Sequence, residues 1–129
     1  MNSESQCYRL VIPTKLHSLN EYIGACRRNQ YAGAKMKRQD QELVEWHIRS
    51  QLRGVRITSP VRLTFRWYES SRKRDLDNIS SFGRKVIQDA LVKTRVLEND
   101  GWKNITGFSD EFFVDKKKPR IEVLIKEVD

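Results

Sequence analysis

The stretch "PVRLTFRWYESSRKRDLDNISSFGRKVIQDALVKT", Pro60 to Thr94, changes its apolar period once, and that change decides the fold. Val61, Leu63, Phe65 and Trp67 alternate with Arg62, Thr64, Arg66 and Tyr68, the period of a strand with one buried face. From Asp77 the steps become three and four. Ile79, Phe82, Val86, Ile87, Ala90 and Leu91 form a helical stripe that ends near Thr94. Between the two periods, "SRKRDLDNIS" sets Asp75 and Asp77 directly behind Arg72, Lys73 and Arg74 at the mouth of the helix.

Upstream, "CYRLVIP" (Cys7 to Pro13) reads as a short strand stopped by Pro13. The segment from His17 to Gly54 is mostly helix-forming. Met36, Leu43, Val44, His47, Ile48 and Leu52 give it an apolar stripe in which His47 is a core histidine, and the Tyr31–Gly33 stretch can end one helix and begin another. Downstream, "NITGFSDEFFVDK" and "RIEVLIKEV" read as two strands of a hairpin joined through "KKKPR". The order strand, helix, strand, helix, strand, strand predicts an α+β fold, a small mixed sheet with two main helices.

The 129 residues predict one domain spanning 1–129. Lys plus Arg number 25 against 17 Asp plus Glu, a net charge of +8, so an anionic partner is expected, nucleic acid first. Cys7, Cys26, His17 and His47 match no compact zinc spacing, and two thiols suit a reducing compartment. "MNSESQCYRL" has no basic start followed by an apolar run, so no secretory leader is expected. With no apolar run near the ~18 residues of a membrane span, the sequence predicts a cytoplasmic protein with no membrane partner.

Asp75 and Asp77 admit two readings. Asp77 or Asn78 can cap the helix, since a short oxygen-bearing side chain accepts from its free amides. A cap does not need Asp75 as well. Hard divalent cations such as Mg²⁺ take carboxylate oxygens while keeping several waters. If residues 75–77 are extended, their side chains share a face and converge on one ion. A helix N-terminus behind them presents amides to a phosphate oxygen. Metal, phosphate and cations together describe phosphodiester hydrolysis.

At "KRDLDNISSFGRKVIQDALVKTRVLENDGW", Lys73 to Trp102, the chain resembles the RusA family of Holliday-junction resolvases. The family motifs are D-x-D-N opening a helix (Asp75, Asp77, Asn78), a lysine within it (Lys85), D-A-L at its later turns (Asp89 to Leu91) and an acid after a short turn (Asp100). "SLNEY", Ser18 to Tyr22, is similar to an N-terminal family element. The resemblance implies a Mg²⁺-dependent, homodimeric endonuclease that resolves four-way DNA junctions. It implies metal ligation by Asp75, Asp77 and Asp100, with Lys85 neutralising the scissile phosphate. Arg72, Lys73, Arg74, Asn20, Lys116, Lys117 and Lys118 are then the expected DNA contacts.

The chain departs from the family pattern twice. The D-x-D-N to D-A-L spacing is about one helical turn longer. Lys85 therefore falls eight residues after Asp77, ~12 Å along a helix, with Ser81 closer and Arg84 a rival. Asn99, rather than a second acid, precedes Asp100, with Glu98 nearby.

Geometry then bears on the number of subunits. A helix from Asp77 to Thr94 carries the chain ~26 Å from the first carboxylates, and the six residues to Asp100 return at most ~20 Å. Either the helix is shorter or a second subunit supplies Asp100, which predicts a two-fold dimer with composite sites.

Trp67 and Phe82 are expected in the core, and Trp102 is open to either packing or base stacking. The cations of "VDKKKPR" and "ACRRNQYAGAKMKR" are either solvated surface or backbone contacts. The alternative function is a non-catalytic basic DNA-binding protein whose aspartates only organise a turn.

Overall fold

The structure, a computed structural model, describes residues 6–128. Residues 1–5, on which the reading of the leader partly rests, and residue 129 lie outside it. The elements run β1 (Cys7–Ile12), α1 (Leu19–Arg28), α2 (Gln30–Gln51), β2 (Val61–Glu69), α3 (Leu76–Lys93), β3 (Ile105–Val114) and β4 (Arg120–Glu127). The fold is α+β, with a four-stranded mixed sheet ordered β1-β4-β2-β3 and three helices.

The alternation of β2 is borne out: Val61, Leu63, Phe65 and Trp67 are buried, and Trp67 is only 2% exposed. They meet Leu10 and Ile12 of β1, Val123 and Ile125 of β4, and the stripes of α2 and α3 in one core cluster. Of the α2 stripe, Val44, Ile48 and Leu52 are buried, whereas His47 is half-buried with its ring edge-on to Trp46. Phe82 is core as expected, stacked on Tyr22 of α1 at 4.5 Å.

Two expectations are corrected. The helical segment before β2 breaks at Asn29, giving three helices rather than two. Asn29 is extended, and its Oδ1 accepts from the amides of Tyr31 and Ala32, both 2.9 Å away. Gly33 is not a turn but a buried α2 residue packed against Cys26 of α1.

The second correction concerns the final strands, which form no hairpin. β3 pairs parallel with β2, and β4 lies antiparallel between β2 and β1. Parallel pairing needs a crossover, and α3 supplies it. Ile121, Val123 and Ile125 of β4 are all buried, which suits a central strand, so residues 115–119 carry the chain over the end of β2.

Candidate active site

The C-terminal ends of β2 and β3 and the start of β4 share one end of the sheet: Glu69 pairs with Val114, and Tyr68 with Arg120. The Asp115 amide donates to the Glu69 carbonyl at 2.7 Å, which ties the two connections together. This end therefore collects the 70–75 loop, the N-terminus of α3 and the Lys116–Lys118 turn. Lys15 joins them through a 3.2 Å bond to Ser70 Oγ.

The cations divide by use. Arg72, Lys73, Lys116, Lys117 and Lys118 are exposed. The lysine turn is shaped by Asp115, whose Oδ1 accepts from the Lys117 and Lys118 amides at 3.1 Å each, so its shape does not depend on the ammonium groups. Arg74 is spent on the fold. Its guanidinium lies 3.1 Å from buried Glu69 and 3.6 Å from Glu21, and it donates to the Leu16 carbonyl.

Asp75 and Asp77 are both exposed, and among the described residues neither carboxylate is in an ion pair. Asp75, rather than Asp77 or Asn78, is the N-cap of α3, yet its side chain makes no capping bond. Asp77 belongs to the first turn, where the positive end of the helix favours an acid. An extended 75–77 segment with a shared face is thus replaced by a cap followed by a helical turn. Asn78 has a role the sequence did not announce: its Oδ1 accepts from the Asn20 amide at 2.8 Å. The N-termini of α1 and α3 are fastened together by it, and α1 carries its own capping box from Ser18 and Glu21. Burial would raise the Glu21 carboxyl, but its Ser18 bonds, with His17 and Arg74 nearby, outweigh burial and lower it.

Asp100 is elsewhere. The helix is full length, and Arg95, with φ of 66°, turns the chain back past its C-terminus. The return reaches only mid-helix: Asp100 lies 3.6 Å from the Lys85 ammonium, which also bonds Asp89 at 3.1 Å. Asp89 in turn holds Lys37 of α2 at 3.1 Å. The Asp89 bond is the main reason that the Lys85 ammonium titrates above its ordinary value. Among the described residues no three His, Cys, Asp or Glu side chains converge as a metal site. Asp75 and Asp77 offer hard oxygen donors, and among the described residues no third carboxylate joins them in one cluster.

The rivals of Lys85 are also placed. Arg84 is engaged with Asp110 of β3 and lies over the Phe108 ring at 4.6 Å. Ser81 Oγ donates to the Asp77 carbonyl at 2.7 Å. Asn20 is exposed, and its main chain, not its side chain, takes part in the Asn78 bond. Trp102 is 97% exposed.

The family model for endodeoxyribonuclease RusA matches residues 6–126. No curated protein matches the sequence. An α+β chain with an acidic, cation-rimmed helix mouth and a match over nearly its whole length is a nuclease of that class. The chain belongs to the RusA endodeoxyribonuclease family.

Proposed function

We propose that this chain is a Mg²⁺-dependent, homodimeric endonuclease that cleaves four-way DNA junctions by phosphodiester hydrolysis, in recombination and repair in the cytoplasm. The observation that carries this reading is the state of Asp75 and Asp77. No side-chain bond of the fold uses their carboxylates: among the described residues neither makes a capping bond or joins an ion pair, and both stand exposed at the mouth of α3. That favours the enzyme over a basic binding module in which the aspartates only organise a turn.

In this reading Asp75, Asp77 and Asp100 of the partner subunit hold the ion. Once bound, the ion would activate a water and offset charge at the phosphate. The chain's own residues do the rest. The free amides at the start of α3 face a phosphate oxygen. Arg72, Lys73 and Lys116–Lys118 hold the flanking backbone, and the side chain of Asn20 borders the same helix mouth. Lys85, kept protonated by its acidic neighbours, supplies positive charge beside Asp100.

The test is a labelled four-way junction incubated with and without Mg²⁺, beside linear duplex and a flap. Cutting that needs the ion, and is lost in Asp75→Asn while binding persists, supports the enzyme. Junction binding with no cutting under any divalent ion supports the binding module. Co-refolding an Asp75→Asn chain with an Asp100→Asn chain tests the shared site, because the mixed dimer regains one intact set.

A further inference from the structure

A second basic surface lies at the far end of α3, where the C-termini of α2 and α3 come together. The Ile57 amide donates to the Val96 carbonyl at 2.8 Å, and Ile57 also bridges Leu97. These bonds tie the stretch after α2 to the stretch after α3. Two hollows of about 420 and 410 Å³ open there and share Arg56 as a wall. Arg49 and Arg53 line the first and Arg95 the second, and Lys93 stands in the last turn of α3.

All five cations are exposed. Arg49 lies 3.5 Å from Glu45, but among the described residues Arg53, Arg56, Lys93 and Arg95 join no ion pair. No carboxylate lines the first hollow, and Glu98, which lines the second, pairs with none of them. The helix ends account for part of this charge. The negative end of a helix favours a cation in its last turn, and Arg49 and Lys93 meet that need. Arg53, Arg56 and Arg95 lie past the helices.

Arg95 is the most telling of them. Its φ of 66° is a left-handed conformation that glycine adopts freely and an arginine resists. Gly54, just after α2, shows the residue such a turn ordinarily takes, at φ 77°. An arginine kept in a strained place among unpaired like charges is a local cost to the fold, and such costs persist where a site needs them.

On the branched-DNA reading above, we propose that this platform holds the backbone of a duplex arm away from the scissile phosphate. Guanidinium groups suit that task, because two parallel N–H donors match two phosphate oxygens. α3 runs 18 residues, ~27 Å, from its mouth to this end. That is ~8 base pairs of duplex, so the phosphate held here is not the one beside Asp75 and Asp77 of the same chain. The arginines add affinity and orient an arm, and they take no part in the chemistry.

The test compares two charge-matched variants on a four-way junction with long duplex arms. Arg53→Gln with Arg56→Gln removes two cations from the platform. Arg62→Gln with Lys126→Gln removes two cross-strand neighbours that are exposed on the other face of the sheet. The platform variant is expected to shrink the slope of log K against log salt by about 1.8, while the control keeps the wild-type slope. Single-turnover cleavage at saturating protein should match wild type. Arg95→Gly guards against misfolding. Glycine fits that backbone, so the melting temperature should not fall, while the slope should shrink by about 0.9.

An unchanged slope in both platform variants overturns the proposal and leaves these cations to an acidic protein or to solvent. A loss shared equally by the control also overturns it, because bulk charge then suffices. A fall in the saturated cleavage rate overturns the separation from the chemistry. If wild type binds junctions but cuts none under any divalent ion, the nuclease reading fails, and the binding series still decides the platform. A wild type that binds no DNA rejects both.

Discussion

Lys85 holds Asp100: its ammonium is 3.6 Å from that carboxylate and 3.1 Å from Asp89. Lys85 is mostly solvated and Asp100 half-buried, so the pair's worth to the fold is about 1 kcal/mol or less. Lys85→Met should therefore shift thermal stability little while lowering junction cleavage at least ~10-fold, as expected of a lost transition-state charge. The sign with pH follows from the raised ammonium. Its small contribution to stability is present below the ordinary value of 10.5 and fades as pH rises through the higher folded value. Melting temperatures of wild type and Lys85→Met should converge at the alkaline end.

Asp75→Asn and Asp77→Asn should each reduce cleavage by ~100-fold or more by removing a hard donor. Both should change stability by less than about 1 kcal/mol: among the described residues neither carboxylate makes a side-chain bond, Asn serves as well as Asp at the N-cap, and Asp77 gives up only its favourable place in the first turn. Parallel melting curves and single-turnover cleavage check the two halves.

Glu122 should make the protein acid-labile. Burial would raise its carboxyl, but the bonds from Arg120 and Arg9 outweigh burial and hold it below its ordinary 4.5. A lowered carboxyl stabilises above 4.5 and loses that contribution as pH falls through the folded value. Glu122→Gln should flatten the acid limb of stability against pH and cost about 2 kcal/mol near neutrality, below the figure for a fully buried pair because Arg9 is solvated. Urea melts across the acid range measure this.

Gly83→Ala should destabilise, although alanine is the better helix former by about 1 kcal/mol. A Cβ at position 83 would meet the Trp67 ring at 3.0 Å. That ring cannot yield easily: it stacks on Phe65 at 5.8 Å, and its Nε1 donates to Asp110 at 2.9 Å. Overpacking costs about 1–3 kcal/mol, so the net loss should be up to about 2 kcal/mol by denaturant titration.

Replacing Lys116, Lys117 and Lys118 by Gln should leave the turn intact, since Asp115 bonds their backbone rather than their ammonium groups. If all three meet phosphates, the slope of log K against log salt should shrink by about 2.7. Junction-binding titrations over a salt series give that slope.

The strand–helix switch around Asp75 was legible because burial imposes its period on the residues themselves: Phe65 and Trp67 on β2, Phe82 and Val86 on α3. Partner choice among strands was not. "NITGFSDEFFVDK" and "RIEVLIKEV" are neighbours in sequence and joined by a short turn, yet β2 lies between them, because a parallel β2–β3 pair lets α3 cover the sheet. Asn29 looked unremarkable beside Gly33, although a side-chain oxygen is what starts α2. Of the site, Asp75, Asp77 and the cations of the rim could be found from residue type and spacing. The engagement of Arg74 with Glu69 and of Asn78 with Asn20 spans distances along the chain that no local pattern encodes.

The clasp between Asn78 and position 20 uses the main-chain amide of residue 20, so it tolerates any side chain there except proline. Anchorage and recognition are thereby uncoupled at that position. Substitutions at 20 can retune what the helix mouth greets without loosening the scaffold, whereas a change at 78 that removes its acceptor oxygen opens the clasp.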